Sequence, residues 1–272
     1  MPFREFGIYV FKFFKNYKWR WVIVDELLPC EIDCDNPQIS PKLAFAFCDN
    51  ENEFWAPLVE KAYAKLHKNY QALNSGYIDD GLSDMTGLTC EKLKVQLTKK
   101  NPTIKDKNTH EQLMMNKLLE LQKNKSMMGT SITGVTEQML KIDNKDCGLL
   151  ANHAYGVLDL FEIKTKDLIE CRNDFATSFN LKTDWTLMRI RNPWGSSNCV
   201  EWNGQWSDNS IELTDNLQII NKILEEQRGV KIDEKELNRQ DGCFLMSFDD
   251  WVNIFTQLFS CINFDSSWSG MR

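Results

Sequence analysis

The sequence has only three histidines in 272 residues, so any chemistry that needs an imidazole base can be sought by elimination. Long apolar runs are also missing. The longest, residues 21–24 and 43–48, fall far short of the ~20 residues of a membrane helix, so no membrane span is expected. Residues 1–14 lack the basic start, apolar stretch and small-residue cleavage site of a secretory signal, and a cytoplasmic protein is the expectation. With 13 Gly and 7 Pro the chain is neither collagen-like nor low in complexity, and no segment repeats with a solenoid period. Basic residues are outnumbered, 32 against 39 acidic, and the net charge of −7 gives no general attraction for phosphate backbones; nucleic acid is not an expected partner. Nine cysteines, odd in number and scattered, suit reduced thiols rather than a disulfide framework, and the lone Cys30/Cys34 pair has no second pair at zinc spacing.

What is abundant is aromatic: nine Trp and sixteen Phe favour a packed, rigid fold with an interface or cleft. Residues 7–14 and 19–24 read as two strands around the polar turn Lys15-Asn16-Tyr17-Lys18. A further short strand is expected at 43–48. After it, Trp55, Leu58, Val59, Ala62, Tyr63, Leu66, Tyr70 and Leu73 recur at helical spacing and predict one helix of about five turns, stopped by Asn74-Ser75-Gly76. Thr109-His110-Glu111-Gln112 resembles a capping box at the start of another helix. Residues 127–132, 154–163, 185–190 and 243–246 are strand-like, 215–228 and 249–258 are helical, the latter with Ser247 as N-cap, and 164–182 reads as a surface loop.

His67 and His110 are expected to be solvated, on the polar side of one helix and in the first turn of another. His153 differs, because it stands at the entrance to an apolar strand in Asn152-His153-Ala154-Tyr155-Gly156-Val157. A working base needs a partner on its far nitrogen, and Asn192, within Arg191-Asn192-Pro193-Trp194-Gly195 at the end of another strand, offers a carbonyl with an indole beside it. The alternative is a strand-edge histidine satisfied by backbone.

Here the sequence resembles the calpain-type cysteine proteases, which share papain-like Cys, His, Asn chemistry. The likeness runs through residues 7–29, ending in Val24-Asp25-Glu26-Leu27-Leu28-Pro29, and through Asn52-Glu53-Phe54-Trp55 with residues 58–65. It continues through Gly129-Thr130-Ser131-Ile132, Asn152-His153-Ala154-Tyr155, Arg191-Asn192-Pro193-Trp194-Gly195, Glu201-Trp202-Asn203-Gly204-Gln205-Trp206-Ser207-Asp208, Asp241-Gly242 and Met246-Ser247-Phe248, in family order. The resemblance implies an α+β, papain-like protease core. Residues 1–75 would be the second half of a partly helical N-terminal lobe, 76–264 a complete β-rich C-terminal lobe, and 265–272 a tail. By position His153 matches the family's base, Asn192 its orienting amide and Trp194 the indole cover.

Family members carry their nucleophile in a Gln-Gly-x-x-Gly-Asp-Cys-Trp segment ahead of the point that matches Gly7, and this chain starts at Met1. The resemblance therefore implies a vestigial base pair without a nucleophile. Cys147 would lie on the same lobe as the base, and Cys30, Cys34 and Cys48 are not at a helix start. The family core also binds two calcium ions. Glu201, Asp208 and Asp241 match ligands of one site, weakened by Cys243 in place of an acidic residue, and Glu53 matches a ligand of the other. Equally, Glu201 and Asp208 could cap and solvate a loop. The hinge segment keeps one glycine, Gly76, where the family has two. These expectations make the chain an inactive structural or interaction component whose partner covers the incomplete N-terminal lobe, in the cytoplasm and in a cytoskeletal or ciliary assembly. The alternatives are a calcium-dependent endopeptidase whose nucleophile segment lies outside this chain or comes in trans, and a regulator of an active relative.

Overall fold

In the computed structural model, which describes residues 4–34, 36, 41–48, 50, 52–96, 107–164, 184–195, 200–229 and 237–263, the chain divides into two units, Met1–Thr89 and Cys90–Arg272. The first unit opens with strands β1 (Ile8–Lys15) and β2 (Lys18–Asp25), paired antiparallel with Lys15 opposite Lys18. Asn16 and Tyr17 both adopt positive φ, 54° and 59°, as a two-residue turn matched to strand twist requires. One face of the hairpin buries Phe13, Val22 and Val24 against Ala62 of helix α1 (Trp55–Leu66). Its other face leaves Trp19, Trp21 and Ile23 exposed, with the Lys12 ammonium 4.6 Å from the Trp19 ring centre.

Two expectations fail in this unit. The strand foreseen at 43–48 shrinks to the two-residue β4 (Lys42–Leu43), paired with β3 (Cys30–Glu31). Beyond it the Ala46 N–H donates to Glu60 Oε2 at 2.9 Å and Phe45 stacks on Tyr70 at 4.2 Å, so helix-side partners replace a neighbouring strand. The five-turn helix stops at Leu66, because Lys68 turns to φ 91° and Asn69 caps a separate turn by accepting the Ala72 N–H at 3.0 Å. Asn74-Ser75-Gly76 then precedes helix α2 (Ile78–Thr86), which ends at Gly87 in the left-handed region.

The second unit is built on a six-stranded antiparallel sheet in the order β11–β10–β9–β6–β12–β5. These strands are β5 (Cys90–Lys94), β6 (Met128–Ile132), β9 (His153–Lys164), β10 (Asp184–Arg191), β11 (Cys243–Ser247) and β12 (Gln257–Cys261). A separate hairpin, β7 (Gln138–Ile142) and β8 (Lys145–Ala151), leads into β9. Successive residues of β9 point to opposite sides. Leu160 joins a core with Leu118 of helix α3 (Lys107–Lys123) and Trp251 of helix α5 (Phe248–Ile254). Phe161 joins a second core with Leu213, Ile220 and Leu224 of helix α4 (Ile211–Arg228). Burial on both faces explains why β9 reads as a nearly continuous apolar run.

Here too the sequence reading needs correction. Thr109 lies inside α3 rather than ahead of it. Helix α5 does take Ser247 as its cap, the hydroxyl accepting the Asp250 N–H at 3.0 Å, but it ends at Ile254. Leu258 belongs to β12, which inserts between β6 and β5 and draws its apolar side chains into the core. Strands β5, β7 and β8 are additions to the expected elements, short or polar segments with no long apolar alternation. Most of the loop expected at 164–182 and the tail at 265–272 lie outside the described residues.

Candidate functional site

The turn from β8 into β9 is made by Asn152, which takes φ 54° and donates its N–H to Ile132 O at 2.7 Å. Asparagine tolerates that region better than most residues. The turn sets His153 as the first residue of β9, opposite Ile132 of β6 and 8% exposed. On the other side β10 runs antiparallel with Arg191 opposite Gly156, so Asn192 leaves the sheet close to His153. Backbone fixes it there: the Asn192 N–H donates to Gly242 O at 2.7 Å. Gly242 is at φ 92°, and a Cβ on it would stand 2.7 Å from Asn192 O, so only glycine allows this approach.

The two side chains meet. His153 Nε2 lies 3.0 Å from Asn192 Oδ1. The amide cannot flip without loss, since its Nδ2 donates to Val200 O at 2.9 Å and its Oδ1 also accepts the Trp194 N–H at 3.1 Å. Nε2 must therefore carry hydrogen, leaving Nδ1 as the nitrogen that can act as base. The Trp194 ring lies edge-on to the imidazole at 4.7 Å, and Tyr155 flanks it at 4.9 Å. Tyr155 is anchored by accepting the Leu150 N–H at 2.8 Å, and burial pushes its phenol well above the usual range. Such an imidazole, oriented by an amide and shielded by an indole, is equipped to take a proton from a nucleophile and return it to a leaving group.

One participant was not foreseen. Glu137 Oε1 lies 2.5 Å from His153 Nδ1. The only hint in the sequence is a lone acidic residue ahead of β7; its proximity comes from the β7–β8 hairpin, which pairs Gln138 with Ala151.

The described thiols do not approach this imidazole by hydrogen bond. Burial raises the Cys147 thiol, and burial followed by the charge of Asp241 raises that of Cys243, against the opposing Arg191 guanidinium at 3.3 Å. Cys90 and Cys261 face one another, Sγ to Sγ 3.2 Å. Cys30, Cys34 and Cys48 belong to the first unit, and Cys171 and Cys199 lie outside the described residues.

The acidic residues separate into two groups. Glu53, in the first unit, accepts from Asn50 Nδ2 and Trp55 Nε1, both at 3.2 Å, and so braces its own loop. Glu201, Asp208 and Asp241 interact in the second. Glu201 Oε1 accepts the Gly242 N–H at 2.5 Å and Asp241 Oδ1 the Cys243 N–H at 2.8 Å. No described donor reaches either oxygen of Asp208, both buried. Burial, then the charges of Glu201 and Asp241, push its carboxyl up to about 7. A hard cation would relieve that crowding, and oxygen donors are its preferred ligands. Among the described residues, however, no three His, Cys, Asp or Glu side chains are gathered closely enough to hold a metal ion.

The remaining histidines depart from expectation. His110 is 8% exposed, its Nε2 bonded to Val95 O at 2.7 Å, because the first turn of α3 packs beside the end of β5. His67 is only partly exposed and faces Asp84 Oδ2 at 3.4 Å, in a cluster with Lys15 and Tyr63.

The family pattern described as "Calpain family cysteine protease" matches residues 2–262. The chain is 32% identical to Calpain-5 of Caenorhabditis elegans over 263 residues, covering 96% of this chain and 37% of that protein. It is 33% identical to Calpain-A of Drosophila melanogaster, covering 94% and 25%, and 29% identical to the calpain-type cysteine protease DEK1 of Arabidopsis thaliana, covering 95% and 10%. The chain thus spans little more than a third of the longest-covered of these three relatives. No described helix is long and apolar enough to cross a membrane.

Proposed function

Because the chain belongs to the calpain family of cysteine proteases, we propose that its second unit carries the base side of Cys–His–Asn peptidase chemistry, with His153 as base, Asn192 as orienting amide and Trp194 as cover. The observation that carries this reading is the 3.0 Å contact of His153 Nε2 with an amide oxygen whose orientation is locked from two sides. In that chemistry the imidazole takes a thiol proton at its other nitrogen, the thiolate attacks a peptide carbonyl, and the same proton goes to the departing amine.

On this reading the residues described here do not complete the reaction by themselves. Support comes from the two partners of His153, a carboxylate and an amide, and from the raised thiols of Cys147 and Cys243. The chain then serves as a structural or interaction component. The exposed Trp21, Leu27 and Trp55 of the first unit are consistent with a protein partner there, in the cytoplasm and in a cytoskeletal or ciliary setting as the family resemblance suggests. A calcium ion near Asp208 belongs to this reading, supported by the crowding with Glu201 and Asp241 that raises its carboxyl; as they stand the three side chains are not gathered closely enough to hold it, so binding would have to draw them together, and would then brace the 241–243 turn that backs Asn192. Glu53 is not assigned a metal, since its oxygens brace a loop.

A second reading, a calcium-dependent endopeptidase whose thiol comes from residues outside this chain, is favoured by the intact His153–Asn192 pair. Both predict no turnover by the 272-residue chain alone, so the polypeptide isolated from its source separates them, by its mass and by assay on a fluorogenic peptide with calcium. The first predicts no turnover there either. If the polypeptide isolated from its source exceeds 31.8 kDa and hydrolyses the peptide in a His153-dependent way, the second holds.

A further inference from the structure

His153 has a second bonded nitrogen that the peptidase chemistry does not explain. Its Nδ1 faces Glu137 Oε1 at 2.5 Å, with the histidine side chain 7% exposed and the glutamate 43%. The backbone makes this approach systematic rather than incidental. Gln138 pairs with Ala151 across the β7–β8 hairpin, which brings the preceding residue, Glu137, alongside the 152–153 turn. The other nitrogen is committed: Asn192 Oδ1 accepts from Nε2, and that oxygen cannot turn away without breaking the bonds to Val200 O and the Trp194 N–H.

These contacts fix where the protons lie. An ionised carboxylate only accepts hydrogen bonds, and a protonated one donates. With Nε2–H already donated to an amide oxygen, the Nδ1 contact needs one more proton between nitrogen and carboxylate. The lone pair that would receive a thiol proton is then already engaged. The partly exposed glutamate can leave by rotation of its own side chain, whereas the imidazole is held between Asn192, Trp194 and Tyr155.

We propose that Glu137 is a positioning residue that caps the base: its carboxylate occupies the place at Nδ1 that a nucleophilic thiol must take, and a thiol can engage His153 only after Glu137 has swung out. The proposal rests on the reading of His153 as the base oriented by Asn192. It makes the β7–β8 hairpin an autoinhibitory element within the second unit. The closed state is a Glu–His–Asn chain of hydrogen bonds in which no covalent bond forms or breaks.

The test uses the 272-residue chain with 15N-labelled histidine, observed by long-range 1H–15N NMR at neutral pH. Only three imidazoles contribute, and His153→Ala identifies the relevant signals by their disappearance. In the unaltered chain Nε2 is expected to be protonated and Nδ1 to show the signal of a nitrogen sharing a proton with the Glu137 carboxylate. In Glu137→Gln, and equally in Glu137→Ala, Nδ1 should move to the frequency of an unprotonated imidazole nitrogen while Nε2 stays protonated. An Nδ1 signal unchanged in both variants overturns the cap. Asn192→Ala reports separately on the underlying reading: if it leaves the Nε2 signal untouched, the orienting role of Asn192 fails, whatever Glu137 does.

Discussion

Asp208 holds a buried carboxyl without a described donor, raised to about 7 from the ordinary 3.8 by burial and by Glu201 and Asp241. Between about pH 4 and 7 the folded chain therefore keeps a proton that the unfolded chain gives up. Stability falls as pH rises through that window, and the full penalty is in place above it. Asp208→Asn should flatten this fall in thermal melts and leave the metal-free variant more stable than the parent at pH 8; superimposable melting curves across the window would falsify the assignment. At this scale His153 and Asn192 were legible because short motifs carry them, one before an apolar strand and one after. Glu137 was not, because a single acidic residue has no local pattern and its partner is fixed by a hairpin register. His110 was misread because a first-turn position looks solvated until the end of β5 is known to lie beside it.

Elements approach one another here where glycine permits it. Gly148 in β8 sits at φ 76°, and a Cβ there would fall 1.6 Å from Glu201 O, an impossible contact. Gly148→Ala must push apart β8 and the 201–203 loop, which the Asn203 N–H ties to Cys147 O at 3.2 Å. A loss of roughly 3 kcal/mol or more is expected in urea unfolding, and a loss below about 1 kcal/mol would contradict the packing. At the far edge of the sheet Cys90 stands directly opposite Cys261, with sulfurs 3.2 Å apart. Hydrogen peroxide should join them, two thiols giving up two hydrogens to one disulfide while the peroxide becomes two waters. Such a bond would tie the start of the second unit to its last described strand, closing a long loop worth about 5 kcal/mol in chain entropy. The expected readout is a chain lighter by two hydrogens with a raised melting temperature, both absent in Cys90→Ser; oxygen addition without a cross-link would contradict it. Strand and helix types were legible wherever periodicity ran long, as in β9 and α4. Boundaries were not: helical spacing continued past Leu66 and past Ile254, where a positive φ at Lys68 and the pairing of β12 took over.

Across the whole molecule, the resemblance in sequence motifs and the family match over residues 2–262 agree on a protease core. On the proposed reading, what the chain does with that core depends on whether His153 has a thiol to serve. The fold supplies a shielded imidazole, an amide bonded to one of its nitrogens and a carboxylate on the other, where on that reading a thiol would bind. On the calcium reading proposed above, calcium should raise the melting temperature of the parent chain and do so less in Asp208→Asn, since an ion there would take the place of the proton that relieves Asp208. The most direct measurement is covalent labelling of the 272-residue chain by an epoxide probe of cysteine peptidases, with calcium present and the modified residue located by mass spectrometry. No cysteine should be labelled faster in the parent chain than in His153→Ala. A single cysteine labelled rapidly in the parent and slowly in that variant would show that the chain holds its own nucleophile.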